Sequence, residues 1–170
     1  MTISRRLVTW ARGKSPWITM FNSGACNACD IEILAILTPR FDVERIGILA
    51  KGSPRHSDIL IVTGPVTRKQ APRLRMIYDQ MPEPKYVIAT GACGATGGIF
   101  RGLYHVVDGV DKVVPVDVWV AGCPPRPDEF IDAVERCIAL LREDSAHGGK
   151  EWRRKRSEAE AAPETSKVEA

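Results

Sequence analysis

Five cysteines, Cys26, Cys29, Cys93, Cys123 and Cys137, are the side chains of this 170-residue chain best suited to chemistry. They are too few for a disulfide scaffold in a chain of this size, and their odd count fits a reducing compartment in which thiols bind metal. Cys26 and Cys29 form a Cys-x-x-Cys pair in the stretch Asn22-Ser23-Gly24-Ala25-Cys26-Asn27-Ala28-Cys29. Cys93 stands in Gly91-Ala92-Cys93-Gly94, and Cys123 in Ala121-Gly122-Cys123-Pro124-Pro125. Each of the three stretches follows an apolar, β-rich run. Cys137 differs, because it repeats with Phe130, Val134, Ile138 and Leu141 at helical spacing and reads as a small core residue.

The elements that must position these thiols are legible as alternating runs. Residues 17–21, 43–49, 59–63, 86–90 and 116–120 read as strands; residues 30–37, 72–81 and 127–141 read as helices, the first two closed by Pro39 and Pro82. Apolar strands alternating with helices predict an α/β fold, a doubly wound parallel sheet covered on both faces. In such a sheet the carboxyl ends of the strands share one edge, so cysteines that end three different strands converge there. Gly91, Gly94 and Gly122 allow tight turns and leave backbone N–H groups free to face an anionic group.

Composition narrows the remaining possibilities. At 18.7 kDa the chain accommodates one ordinary domain, and 44% hydrophobic with 26% charged residues is a globular balance. No apolar stretch approaches the roughly 20 residues of a spanning helix. A net charge of +3 without a basic, aromatic-interleaved stripe argues against a nucleic-acid partner. Residues 1–14 form a basic arm carrying Arg5, Arg6, Arg12 and Lys14 and no acid. The Ser4-Arg5-Arg6-Leu7-Val8 string lacks the apolar run of an export signal. Residues 15–143 read as the domain proper, and residues 144–170 as a charged tail that is mobile or ordered by a partner.

Four thiolates gathered at one edge suit either tetrahedral zinc or an iron–sulfur cubane. Zinc is the poorer fit, because structural zinc sites usually pair two short Cys-x-x-Cys knuckles and here only Cys26 and Cys29 form one. Helix amides following Cys29 favour thiolate, and Cys123-Pro124 matches the Cys-Pro ending of bacterial ferredoxin motifs.

Four longer motifs add a resemblance. Gly-Ala-Cys-Asn-Ala-Cys-Asp-Ile-Glu (24–32), Ser-Pro-Arg-His-Ser-Asp-Ile-Leu-Ile-Val-Thr-Gly-Pro-Val-Thr (53–67), Tyr-Asp-Gln-Met-Pro-Glu-Pro-Lys-Tyr-Val-Ile-Ala-Thr-Gly-Ala-Cys (78–93) and Val-Pro-Val-Asp-Val-Trp-Val-Ala-Gly-Cys-Pro-Pro-Arg-Pro (114–127) occur in that order. The chain thereby resembles the small, cluster-bearing subunit shared by respiratory complex I and the membrane-bound energy-converting nickel-iron hydrogenases. The resemblance implies a flavodoxin-like domain with one 4Fe-4S cluster, ligated by Cys26, Cys29, Cys93 and Cys123 and facing a larger partner. It implies electron relay between a ferredoxin-like subunit and the nickel-iron site of a hydrogenase large subunit, beside membrane subunits, on the cytoplasmic side of the membrane. In the complex I branch the first two ligands are adjacent cysteines. Here Asn27 and Ala28 separate them, which favours the hydrogenase branch. A quinone- or sulfur-reducing relative and a zinc-stabilised adaptor are the alternatives.

Other polar residues have two readings each. Arg55, His56, Arg68 and Arg126 lie close in sequence to strand-end loops, where a cation would raise the potential of an anionic cluster. Arg68, with Lys69, Arg73 and Arg75, also fits a solvated helix face; His56 equally fits a structural hydrogen bond, and His105 carries no ligand motif. Glu32 either complements its helix dipole or, as the resemblance implies, lines a proton route.

Overall fold

A computed structural model describes residues 3–147. Five parallel strands, β1 (Trp17–Asn22), β2 (Leu49–Ala50), β3 (Ile59–Thr63), β5 (Tyr86–Thr90) and β7 (Val118–Val120), form one sheet in the order β2-β1-β3-β5-β7. Counted within that sheet alone, this is the 2-1-3-4-5 order of a flavodoxin-like fold, with its switch point between β1 and β3. A separate antiparallel pair joins β4 (Val66–Thr67) to β6 (Val106–Val107). The helices are α1 (Ile3–Lys14), α2 (Ala28–Ile36), α3 (Ala71–Gln80), α4 (Gly91–Thr96) and α5 (Pro127–His147).

Strands buried on both faces need helices on both faces, and β3 shows why. All five of its residues are buried; Ile59 and Ile61 join the core under α2 and α5, while Leu60 and Val62 join the core under α3. In α2, Cys29, Ile33 and Ile36 recur at helical spacing and turn inward, so the same periodicity that seats the helix buries one of the thiols. Cys137 is fully buried in the α5 face of the core, beside Val134 and Leu141.

Three elements depart from the sequence reading. Residues 43–49 are not one strand: Val43–Ile46 forms a 3-10 turn between the left-handed Asp42 (φ 48°) and Gly47 (φ 93°), and the strand shrinks to Leu49–Ala50, paired with Trp17 and Ile18. Apolar content alone did not disclose the two positive-φ breaks. Residues 91–96 form α4, although they are rich in glycine and alanine. Residues 3–14 are helical, and α1 packs along α5. Its Arg12 pairs with the buried Asp58 and donates to the carbonyls of Glu83 (3.0 Å) and Pro84 (2.8 Å), so the arm is fastened to the amino-terminal edge of the sheet. The expected tail, residues 144–170, lies outside the described residues beyond the helical backbone up to His147.

Candidate metal centre

Three loops meet at the carboxyl edge of the sheet. The amide of Ala92 donates to the carbonyl of Gly122 at 2.9 Å, tying the Cys93 loop to the Cys123 loop. A Cβ placed on Gly91 would stand 3.2 Å from that same carbonyl oxygen and 3.3 Å from the Sγ of Cys29, so the third loop abuts the other two at Gly91. Gly91 has φ +74°, a conformation that glycine adopts freely. Gly98, at φ +54°, lies against Cys93, where a Cβ would come within 3.0 Å of the sulfur.

The Cys26–Cys29 turn is shaped locally. Asn27 takes a left-handed conformation (φ 69°), which asparagine tolerates better than most residues, and α2 starts at once behind it. Asn22, at the end of β1, receives the amides of Gly24 and Ala25 on its side-chain oxygen at 2.9 Å each. Its Nδ2 donates to Asp30 Oδ2 at 2.6 Å, and Thr63, at the end of β3, donates to Asp30 Oδ1 at 2.6 Å. The helix bearing Cys29 is thus laced to two strand ends.

The thiols sense one another. Burial pushes the Cys29 thiol up to about 11, and the charges of Cys26, Cys93, Asp30 and Cys123 act in the same direction. Burial also raises Cys93, followed by Cys123 and Cys26. Four mutually repelling thiolates in one place call for a cation or a cationic cluster core to neutralise them. Cys29 is buried, Cys93 half-buried, and Cys26 and Cys123 exposed, so the group has a protein side and an open side. Among the described residues, no three His, Cys, Asp or Glu side chains close tightly enough to hold a single metal ion. Tetrahedral zinc at about 2.3 Å from each sulfur would need sulfurs about 3.8 Å apart.

The other sequence-derived candidates are distributed unevenly. Gly122 contributes its carbonyl to the loop junction. Gly94 is buried against Ala89 and Val110 rather than against sulfur. Arg126 is exposed at the head of α5, three residues after Cys123. Glu32 is half-buried on α2, three residues on from Cys29. Arg55 and His56 are not brought to the thiols: they sit in a short 3-10 turn before β3, at the opposite edge, where the His56 ring lies 6.0 Å from that of Trp17 and its Nδ1 is 3.0 Å from Ser53 Oγ. Sequence proximity to a strand misled because these residues precede their strand, whereas the cysteines follow theirs. Sequence reasoning passed over Asn22, Thr63, Gly98 and Asp30. A carboxylate directly after Cys-x-x-Cys and a Gly97-Gly98 doublet soon after Cys93 were the available signals.

The family model for "NADH ubiquinone oxidoreductase, 20 Kd subunit" matches residues 26–137, from the first thiol of the site through the last helix of the core. The chain belongs to this family. It is 52% identical over 129 residues to the probable membrane-bound hydrogenase subunit mbhJ of Pyrococcus furiosus, covering 76% of this chain and 77% of that one. It is 42% identical over 153 residues to an NADH-quinone oxidoreductase subunit of Bacteroides thetaiotaomicron, covering 89% of this chain and 76% of the relative. Among solved structures, a chain of an archaeal membrane-bound sulfane sulfur reductase superposes with a TM-score of 0.71 and 37% identity, over 94% of this chain and 92% of the other. The resemblance drawn from the four motifs therefore holds at the level of family, and the family is one of oxidoreductase subunits.

Proposed function

We propose that this chain is an electron-transfer subunit that holds one 4Fe-4S cluster through Cys26, Cys29, Cys93 and Cys123. The observation that carries the reading is the meeting of the three cysteine loops at Gly91, with the charges of Cys26, Cys93 and Cys123 all acting on Cys29. The donor set supports a cluster: four thiols, none paired in a disulfide, contributed by three chain segments that meet at Gly91. Gly91 and Gly98 leave the room beside Cys29 and Cys93 that any side chain would fill. The buried hydroxyl of Thr90, directly before Gly91, has no hydrogen-bond partner among the described residues.

When bound, such a cluster takes up and gives back one electron at a time. The chain's own residues do the rest. Cys29 and Cys93 anchor the protein side, the lacing of Asp30 to Asn22 and Thr63 keeps the Cys-x-x-Cys turn in place, and the open side at Cys26 and Cys123 leaves an approach for a partner. Arg126, next to Cys123, adds a cation that favours the reduced state. Glu32 holds or passes a proton at the partner interface.

The proposed partners are a large subunit with a nickel-iron site, a ferredoxin-like subunit that exchanges electrons with it, and the membrane subunits of the same complex, with this chain peripheral on the cytoplasmic side. Among the described residues no helix is long and apolar enough to cross a membrane. The separated Cys26 and Cys29 and the 52% identity to a hydrogenase subunit favour the hydrogenase reading. The superposition on the sulfane sulfur reductase chain over 94% of this chain supports a second reading, in which the same relay feeds a sulfur-reducing partner.

Iron and acid-labile sulfide analysis of the purified complex tests the cluster. About four irons with sulfide per chain, lost on Cys→Ser substitution at position 29 or 93, are expected; one zinc without sulfide would overturn it. The large subunit's sequence separates the two redox readings: two Cys-x-x-Cys pairs belong with hydrogenase.

A further inference from the structure

Asp30 is a carboxylate placed where it has no need to be for packing alone. It follows the ligand-type Cys29 directly, lies in the first turn of α2, and is only partly covered. Both of its oxygens are engaged at 2.6 Å, Oδ1 by the Thr63 hydroxyl and Oδ2 by the Asn22 amide. Those two donors come from the ends of β1 and β3, which flank the switch point of the sheet. Asn22 in turn receives the amides of Gly24 and Ala25, the residues leading into Cys26. Asp30 is therefore a knot linking the Cys26 approach, the Cys29 helix and two strand ends. Two short hydrogen bonds fix the position of the carboxylate. No cation pairs with it among the described residues, and its charge is felt at Cys29.

We infer that Asp30 is a positioning residue that also sets the reduction potential: an anion fixed by Asn22 and Thr63 in the helical turn that carries Cys29, which holds the potential of the cluster low. The inference rests on the proposed cluster. Adding an electron near a fixed negative charge costs energy, so the oxidised form is favoured. Thr63 and Asn22 keep the carboxylate from turning toward solvent, where water would screen it. This makes the Cys-x-x-Cys-Asp sequence a unit in which two residues bind and the third tunes. The low-potential chemistry of proton reduction would benefit from such a bias.

The test is a spectroscopic redox titration of the intact complex carrying Asp30→Asn, with iron and sulfide measured on the same samples. The variant is isosteric and keeps an oxygen for the Thr63 hydroxyl, while its amide group replaces the oxygen to which Asn22 Nδ2 donates. An upward shift of the midpoint potential at full iron content is expected, with the shape of the cluster spectrum retained. An unchanged or lowered potential at full iron content would overturn the inference. Absence of iron and sulfide from the unsubstituted complex would instead remove the cluster reading on which it stands.

Thr63→Val keeps the charge and removes one donor, and it serves where Asp30→Asn fails to retain iron. With less of the anion's charge absorbed by a hydrogen bond, Thr63→Val is expected to lower the potential. An upward shift in Thr63→Val would mean that disturbed geometry moves the potential, and the tuning role would fall.

Discussion

Gly98 lies directly against Cys93: a Cβ on it would come within 3.0 Å of the Cys93 sulfur and 3.2 Å of the Cys93 amide nitrogen. At φ +54° the backbone there is also strained for any L side chain. Gly98→Ala is therefore expected to cost about 1–2 kcal/mol of stability from the backbone conformation, and to lower iron per chain because the sulfur must move. Denaturant unfolding with iron analysis checks both. Wild-type iron content in a destabilised variant would separate Gly98 from the site.

The Arg12–Asp58 pair makes a prediction remote from the thiols. Asp58 is 4% exposed, and it also receives the amide of Trp17 at 2.9 Å. Arg12→Ala strands a buried carboxylate and removes the donor to the carbonyls of Glu83 and Pro84, so a loss of about 3 kcal/mol is expected. Combining it with Asp58→Asn should recover part of that loss. Chemical denaturation of the four species of the double-mutant cycle measures the coupling, and strict additivity would argue against the pair.

Cys29 gives a pH dependence for the metal-free chain. Its thiol ionises at about 11 when folded against 9.0 ordinarily, so between those values the folded state holds the extra proton. Its contribution to stability is thus fully present below 9 and lost as pH rises through 11. Cys93 adds in the same direction. The unfolding midpoint of the metal-free chain should fall across this window, and less steeply in Cys29→Ser. Equal slopes in the two proteins would refute the assignment.

Cys137 separates core from ligand. It is fully buried among Val134, Phe130 and Leu141, and burial drives its thiol far up. Cys137→Ser puts a hydroxyl into an apolar core, at an expected cost of about 1–3 kcal/mol. Iron and sulfide per chain should stay at the wild-type level. Iron loss at unchanged fold would make Cys137 part of the centre.

Glu32→Gln should keep the cluster spectrum and slow turnover of the complex, hydrogen evolution in the hydrogenase reading. Assay against spectrum decides it. Full activity would return Glu32 to a role at its helix dipole.

What the amino-acid order determined by itself is the part of the molecule governed by local pattern. Runs of apolar residues broken by prolines marked β1, β3, β5, α3 and α5 closely, and the runs at β1, β5 and β7, each followed by glycine and cysteine, placed the thiols at strand ends. The helical repeat through Cys137 assigned it to the core because periodicity and burial are the same constraint. Tertiary structure alone decided what depends on chain direction and on contact at a distance. Arg55 and His56 are near β3 in sequence yet at its opposite end in space, and Gly91 and Asp30 matter through atoms contributed by other loops and strands. The 3-10 turn at Val43–Ile46 and the fastening of α1 through Arg12 belong with them. A period reports which face a residue takes; only the closed sheet reports which residues meet, because strand order is set by long-range packing and not by neighbours along the chain.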